Sequence, residues 1–318
     1  MSTKRLLVDI DPARDNAPAI ACAAALAEHS GATLELFASV YSHWLTGTPG
    51  AADSRLESSR ETYLEDLGSW LDELGRPLAD RGLVVSTHGT WHYPRHEAIL
   101  ERAEAIDADL VIRVAGQHSR LERLFLSATD WELIRHAPQA LWLVRGGGGR
   151  PAGFNILAAV DPGHPSGQKA ELDQLLLTAA CDLHAALPGE LHLFNAFVPP
   201  TAVTSVPIAA GAGAAAAPIP RIDDQLVDDV RRMHESRLAE LADAFGIDRQ
   251  RTHLGVGDAA GQVAEAVERL GINVVVAGAV SRNWLQRWLI GSTTEAIFDA
   301  VDCDLYVVKL EDHEERNG

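Results

Sequence analysis

The sequence predicts two tandem α/β domains, each built on a doubly wound, five-stranded parallel sheet. Three observations lead there. The chain repeats itself in one ungapped register: Asp109-Leu110-Val111-Ile112 aligns with Asn273-Val274-Val275-Val276, and Leu141-Trp142-Leu143-Val144-Arg145 aligns with Leu305-Tyr306-Val307-Val308-Lys309. Within each half, short continuous apolar runs alternate with amphipathic stretches, the pattern of parallel strands buried on both faces and joined by helices. Near the middle of the 318 residues, Gly146-Gly147-Gly148-Gly149 and Arg150-Pro151 have the composition of a linker. The expected domains are residues 1–147 and 152–318, each of ordinary domain size.

In the first half the strand-like runs are Leu6–Ile10, Leu34–Val40, Leu83–Thr87, Leu110–Val114 and Leu141–Val144. Helical patterns lie between them at Ala17–His29, Arg55–Ala79, His96–Ile106 and Thr129–His136. The second half repeats the order with runs at Ile156–Val160, Leu191–Phe197, Thr252–Val256, Val274–Ala277 and Leu305–Val308. Both opening strands end in Asp-Pro, at Asp11-Pro12 and Asp161-Pro162, and the repeat register also pairs Leu121 with Leu285, Arg123 with Arg287 and Thr129 with Thr293. The opening strands lie closer together than this register requires, so the second half carries an insertion. The uncharged Ala/Gly stretch Thr201–Pro220, broken by Pro207, Pro218 and Pro220, is the place for it. That stretch is too weakly hydrophobic and too interrupted to span a bilayer, and reads as a long loop that either covers the ligand crevice or has no role.

The hydrophobic share of 47% fills two cores, while a formal charge of -18 argues against duplex DNA or anionic membranes as partners. Cys22, Cys181 and Cys303 all sit in apolar stretches, an odd number without a CxxC pair, and read as core thiols rather than a disulfide framework. Met1 to Arg5 runs straight into a strand with no signal-peptide core, so the expected location is cytoplasmic.

The chemistry concentrates near the end of the second half. Val276-Ala277-Gly278-Ala279-Val280-Ser281 is followed by nine residues and then Gly291-Ser292-Thr293-Thr294-Glu295-Ala296. A glycine-rich loop lets backbone N–H groups approach a diphosphate, and a helix start offers free N–H donors, partial positive charge and hydroxyls. Arg282 and Arg287 lie in the same segment. This set resembles the universal stress protein signature, Gly-x2-Gly-x9-Gly-Ser/Thr between the fourth strand and the last helix. With it come a strand-one aspartate at Asp161 and a glycine after strand three at Gly257. Trp91-His92, Gln117-His118-Ser119-Arg120-Leu121-Glu122 and Thr129-Asp130-Trp131 add a likeness to the E-type branch of tandem universal stress proteins.

The resemblance implies a Rossmann-like fold, a stress-adaptation role, and a seat for ATP or a related nucleotide in the second half. That seat would be formed by Ala159, Val160, Asp161, Ala196, Gly257, Gly278, Ser281, Gly291, Ser292 and Thr293. It also implies that the two terminal strands pair inside the chain as a pseudo-dimer, with further homodimerisation open. Each residue has a plain structural role open to it as well. Gly278 and Gly291 can be turn or helix-entry glycines, Ser292 and Thr293 an N-cap, and Asp161 an Asx-type cap. Ser281 stands where the pattern has its second glycine, a cost of about 1 kcal/mol if the backbone there needs positive φ.

In the first half only Asp11 and Thr129 survive. Val114, Gln117 and Ser127-Ala128 replace the glycines and the Gly-Ser pair, and Arg113 takes the place of Ala277, where it would crowd an adenine. That half is expected to be degenerate toward nucleotide. His88, His92 and His96 lack a nearby carboxylate or cysteine at metal-ligand spacing and read as exposed or capping residues rather than a zinc site. Trp284 and Trp288 read as packing. No P-loop, acidic metal pair or nucleophile–base–acid set is legible, so no catalytic residue is assigned. A slow ATP hydrolase or nucleotidyl-transfer enzyme and a non-catalytic binding platform stand as the alternatives to a ligand-binding stress factor.

Overall fold

A computed structural model of the chain describes residues 4–42, 54–116, 126–145, 154–163, 167–199, 224–280 and 292–310. The first half contains β1 (Arg5–Asp9), α1 (Ala17–Ser30), β2 (Thr33–Val40), α2 (Ser54–Asp80), β3 (Val85–Trp91), α3 (Arg95–Ala105), β4 (Leu110–Val114), α4 (Ala128–His136) and β5 (Ala140–Val144). The second repeats the order with β6 (Ile156–Ala159), α5 (Gln168–Ala186), β7 (Leu191–Phe197), α6 (Asp224–Phe245), β8 (Thr252–Val256), α7 (Ala259–Leu270), β9 (Val274–Val280), α8 (Ser292–Ala300) and β10 (Asp304–Leu310).

Local chemistry sets the helix ends. Pro18 stands in the first turn of α1, and Gly31 closes that helix at φ +70°, a left-handed conformation that costs glycine nothing. Asp258 caps α7 by accepting from the N–H groups of Ala260 and Gly261. The central strands β1, β4, β5 and β9 are mainly apolar because both of their faces are covered. One core includes Leu6, Val8, Leu36 and Trp142 and continues into Ile156 and Val274. The other, on the opposite face, includes Leu7, Phe37, Val111 and Leu141 and continues into Val275 and Leu305.

The two five-stranded units form one ten-stranded sheet in the order β3-β2-β1-β4-β5-β10-β9-β6-β7-β8. Every neighbouring pair is parallel except β5 with β10, which run antiparallel with Leu143 opposite Leu305, Trp142 opposite Tyr306 and Leu141 opposite Val307. This is the intramolecular pairing of terminal strands that the sequence implied. Two edges that would otherwise expose unpaired N–H and C=O groups cover each other.

Most strand expectations hold to within a residue or two, with two corrections. β3 runs from Val85 to Trp91 rather than Leu83 to Thr87, paired along its length with Leu34–Val40. As an edge strand of mostly polar, half-exposed residues it carries a weak apolar signal. β9 extends to Val280, because β10 pairs with it as far as Leu310. Gly278 is therefore a strand residue and not part of a loop. The Gly146–Pro151 linker, the Thr201–Pro220 insertion, Gln117–Glu122, and Trp284 and Trp288 lie outside the described residues.

Polar contacts lock the seam. Trp142 is fully buried, and its indole Nε1–H donates to Asp304 Oδ2 at 3.2 Å. The other oxygen, Oδ1, accepts from the Arg145 N–H at 2.7 Å, while the Arg145 guanidinium pairs with Asp302 at 2.7 Å. From the other side, Lys309 of β10 donates to the carbonyls of Leu133 (3.1 Å) and Ala137, capping the C-terminal end of α4 in the first domain. Burial pushes the Lys309 amine down to about 7.

Two outcomes follow from the seam. Asp304→Ala removes the acceptor of the Arg145 N–H and of the fully buried Trp142 indole, at a cost of about 2–3 kcal/mol. It should lower the urea midpoint of the full chain, and Asp304→Asn should recover part of the loss. Lys309 binds fewer protons folded than unfolded between its folded value of about 7 and the ordinary 10.5. Its contribution to stability therefore rises with pH across that window. Urea titrations from pH 7 to 10 should show this slope in the native chain and a flatter one in Lys309→Met; identical slopes would refute the assignment.

Candidate functional site

The strand order places a crevice in the second domain. The chain leaves β6 for α5, which packs its Leu176 and Leu177 on one face of the sheet. It leaves β9 for α8, whose Ile297 and Phe298 pack on the other. Two neighbouring parallel strands whose connections depart to opposite faces form a topological switch point, with the crevice outside their carboxyl ends.

The expected residues that the structure describes are placed as follows. Ala159 is the last residue of β6 and Val160, buried, follows it. The Val160 N–H donates to the Phe194 carbonyl at 2.9 Å, and its own carbonyl accepts from Asn195 Nδ2 at 2.8 Å. The Asp161 N–H donates to Asp173 Oδ1 of α5 at 3.1 Å, so the backbone under this exposed aspartate is held from both sides. The first-half counterpart of Asp161 makes an Asx-type turn: Asp11 Oδ1 accepts from the Ala13 N–H at 3.0 Å. Ala196 lies near the end of β7 and is half-buried. Gly257 follows β8 at φ +138°, a conformation that side chains rarely adopt, and its N–H donates to the Phe197 carbonyl. Ser292 and Thr293 begin α8, with Thr293 exposed. Ser281 and Gly291 lie outside the described residues.

Gly278 has a packing reason of its own. A Cβ there would stand 2.5 Å from Leu172 Cδ2 of α5, and the Thr294 hydroxyl donates to the Gly278 carbonyl at 3.3 Å. The glycine lets α5 lie tightly against β9, a role that neither a turn nor a phosphate loop describes.

The structure adds residues that the sequence reading missed. His234 of α6 stacks on Phe197 with ring centroids 4.9 Å apart, and its Nδ1 lies 2.9 Å from Asn195 Oδ1. Because Asn195 spends its amide N–H on Val160, the oxygen faces His234, and Nδ1 must carry the proton. The other ring nitrogen, Nε2, is then the acceptor. Burial lowers the His234 pKa, against the opposing pull of Asp161. One turn further along, Arg237 donates to the carbonyls of Pro162 (3.2 Å) and Gly163 (2.6 Å), pinning the segment after Asp161. A histidine and an arginine three apart on a long amphipathic helix carry no distinguishing pattern, so sequence could not single them out.

The equivalent crevice of the first domain is filled by charge. Arg113 of β4, with its side chain 3% exposed, lies 3.5 Å from Asp9 and 3.2 Å from Asp130. Arg95 holds Asp9 through two nitrogens, donates to the Ile10 carbonyl at 2.8 Å, and pairs with Asp11 at 3.3 Å. Burial alone would raise the Asp11 pKa, but Arg95, the Ala13 N–H and Arg14 outweigh it and hold Asp11 below the ordinary aspartate value. Arg113 is thus part of a buried ion-pair network at the carboxyl ends of β1 and β4.

The histidine triplet is dispersed. His88 stacks on Phe37 within the sheet at 6.0 Å, His92 faces Glu97 and Glu101 of α3 at 3.8 and 3.6 Å, and His96 lies in the first turn of α3. Among the described residues no group of three or more His, Cys, Asp or Glu side chains is placed to hold a metal ion. Cys22 and Cys303 are buried and Cys181 half-buried, and burial raises the thiol pKa of Cys181 and Cys303. Among the described residues no helix is long and apolar enough to cross a membrane.

Comparison with known proteins agrees with this architecture. The chain is 27% identical over 316 residues to universal stress protein E of Salmonella typhi, covering 98% of this chain and 96% of the relative. It is 25% identical over 321 residues to a universal stress protein E homolog of Haemophilus influenzae, covering 97% and 98%. A solved Pseudomonas aeruginosa protein of unknown function superposes with a TM-score of 0.72 at 22% identity, covering 96% of this chain and 92% of that one. A universal stress protein from Archaeoglobus fulgidus superposes with a TM-score of 0.65 at 14% identity, covering 97% and 99%. The family described as "Universal stress protein family" matches twice, over residues 2–145 and 154–309. With both halves matched and the full length shared with tandem relatives, the chain belongs to the universal stress protein family in its two-domain form.

Proposed function

We propose that this chain is a cytoplasmic stress-adaptation protein that holds one nucleotide, ATP or a close relative, at the β6/β9 crevice of its second domain and none in its first. The observation that carries the reading is the contrast between two equivalent crevices. In the second domain, the exposed Asp161 stands on a backbone anchored by Asp173, Asn195 and Arg237, and the residue in the place of Arg113 is Ala277. In the first domain the same place is taken by a buried arginine between two aspartates. The Asp161 carboxylate accepts hydrogen bonds from the base or ribose, and the N–H groups at the start of α8 receive the phosphates. The Leu172 contact at Gly278 favours a second reading, in which packing closes the site and the two domains act as a binding platform.

Calorimetry with the full chain separates the two. One ATP or ADP per chain is the expected stoichiometry. Gly291→Val should abolish binding by placing a β-branched side chain where a phosphate approaches. Asp161→Ala should weaken it tenfold or more, corresponding to the ~1.5–3 kcal/mol of a hydrogen bond to a charged group. Ser127→Val in the first domain should leave affinity and stoichiometry unchanged. It should still lower thermal stability by about 1 kcal/mol, because Ser127 caps α4. Two nucleotides per chain would overturn the asymmetry, and no binding of any nucleotide would favour the platform.

A further inference from the structure

We infer that the first domain contains an oxyanion site whose resident ligand is its own Asp130 carboxylate. Asp130 is completely buried near the start of α4. Its Oδ2 accepts from three donors, the Gly116 N–H at 2.9 Å, the Ser127 N–H at 2.7 Å and the Ser127 hydroxyl at 2.8 Å. Its Oδ1 faces Arg113 Nε at 3.2 Å. Two backbone N–H groups, a hydroxyl at a helix start and a guanidinium, all converging on one pair of oxygens, are the donors that receive a phosphate or carboxylate group.

The surroundings are built for an anion rather than merely for a helix cap. Gly116 brings the end of β4 against the start of α4, so closely that a Cβ on it would lie 2.8 Å from Ser127 Cβ and 3.0 Å from Ser127 N. That approach aims N–H groups from two separate elements at the same oxygen. Arg113 supplies more donors than a cap uses. Its Nε and Nη1, like Asp130 Oδ1, are buried without a hydrogen-bond partner among the described residues, so guanidinium and carboxylate meet as an ion pair at 3.2 Å; a buried guanidinium without a nearby anion is strongly unfavourable. Asp9 alone, at 3.5 Å and already shared with Arg95, leaves that requirement to Asp130.

The second domain has no aspartate at the equivalent position. The repeat register places Thr294 where the first domain has Asp130, and Ala277 where it has Arg113. The Thr294 hydroxyl donates to the Gly278 carbonyl of β9. With threonine in place of the aspartate, the second domain has no carboxylate at that helix position, whereas the first domain carries its own. α4, and with it the approach to β5 and the seam, is thereby held in the occupied arrangement at all times. This holds whether or not the second domain binds a nucleotide.

Chemical rescue tests the inference on the full chain. Asp130→Ala leaves a space the size of a carboxylate, and formate is the probe. The urea midpoint of Asp130→Ala is expected to fall well below that of the native chain and to rise saturably with sodium formate, relative to sodium chloride at equal ionic strength. The native chain and Asp130→Asn should show no difference between the two salts. Equal response of Asp130→Ala to formate and chloride would overturn the site and leave Asp130 a helix cap only. If Asp130→Ala does not fold in chloride, its refolding yield in formate becomes the readout: recovery supports the site and equal failure in both salts refutes it. The double variant Arg113→Met with Asp130→Ala removes the guanidinium as well and should fold without responding to formate; a response there would also overturn the assignment.

Discussion

The antiparallel pairing of β5 with β10 is the interaction on which the rest of the molecule rests. Each five-stranded unit ends in an apolar strand whose outer edge would be left with unpaired backbone groups. Joining the two edges makes a ten-stranded sheet with one core on each face, both continuous across the seam. Asp304 is central to that joint because one carboxylate satisfies the Trp142 indole and the Arg145 N–H together. Lys309 then extends the joint beyond the sheet, tying the end of α4 to the strand of the other domain. A change in how α4 or α8 sits at its own crevice is thereby mechanically close to the contact between the domains.

The same constraint explains how two copies of one fold diverged without separating. Each crevice lies at the carboxyl ends of its central strands, beyond the paired backbone of the sheet, so side chains there can change while the strand pairing is kept. In the first domain the change is a buried network of Asp9, Arg95, Arg113 and Asp130. In the second it is a set of anchors around Asp161, with His234 held in one tautomer by Asn195. Buried charges are costly unless paired and hydrogen-bonded. The first domain pairs its buried charges internally, and the second leaves its aspartate exposed.

Much of the fold was legible because it depends on short-range patterns. Apolar runs such as Leu110–Val114 and Val274–Ala277 mark buried strands whatever surrounds them, and the ungapped repeat placed the two halves in register. The half-exposed edge strand β3 was misplaced by a few residues because its mixed character is set by what covers it, not by its own composition. For the site, motif glycines and Asp161 could be named from sequence, but not what they touch. Gly278 had the look of a phosphate-loop glycine, and only the position of Leu172 showed that it admits a helix against a strand.

What the sequence by itself determined is the architecture: two α/β units, the order of their strands, and the loss of loop glycines from the first crevice. Those features follow from hydrophobic periodicity and from glycine and proline chemistry, which act over a few residues. What only the tertiary structure decided is the set of polar partnerships: Arg113 with Asp9 and Asp130, His234 with Asn195, Lys309 with the end of α4. Each joins residues far apart in the chain. A charged or hydrogen-bonding side chain leaves no periodic trace of a distant partner, and whether it is solvated or paired is settled only when folding removes the water.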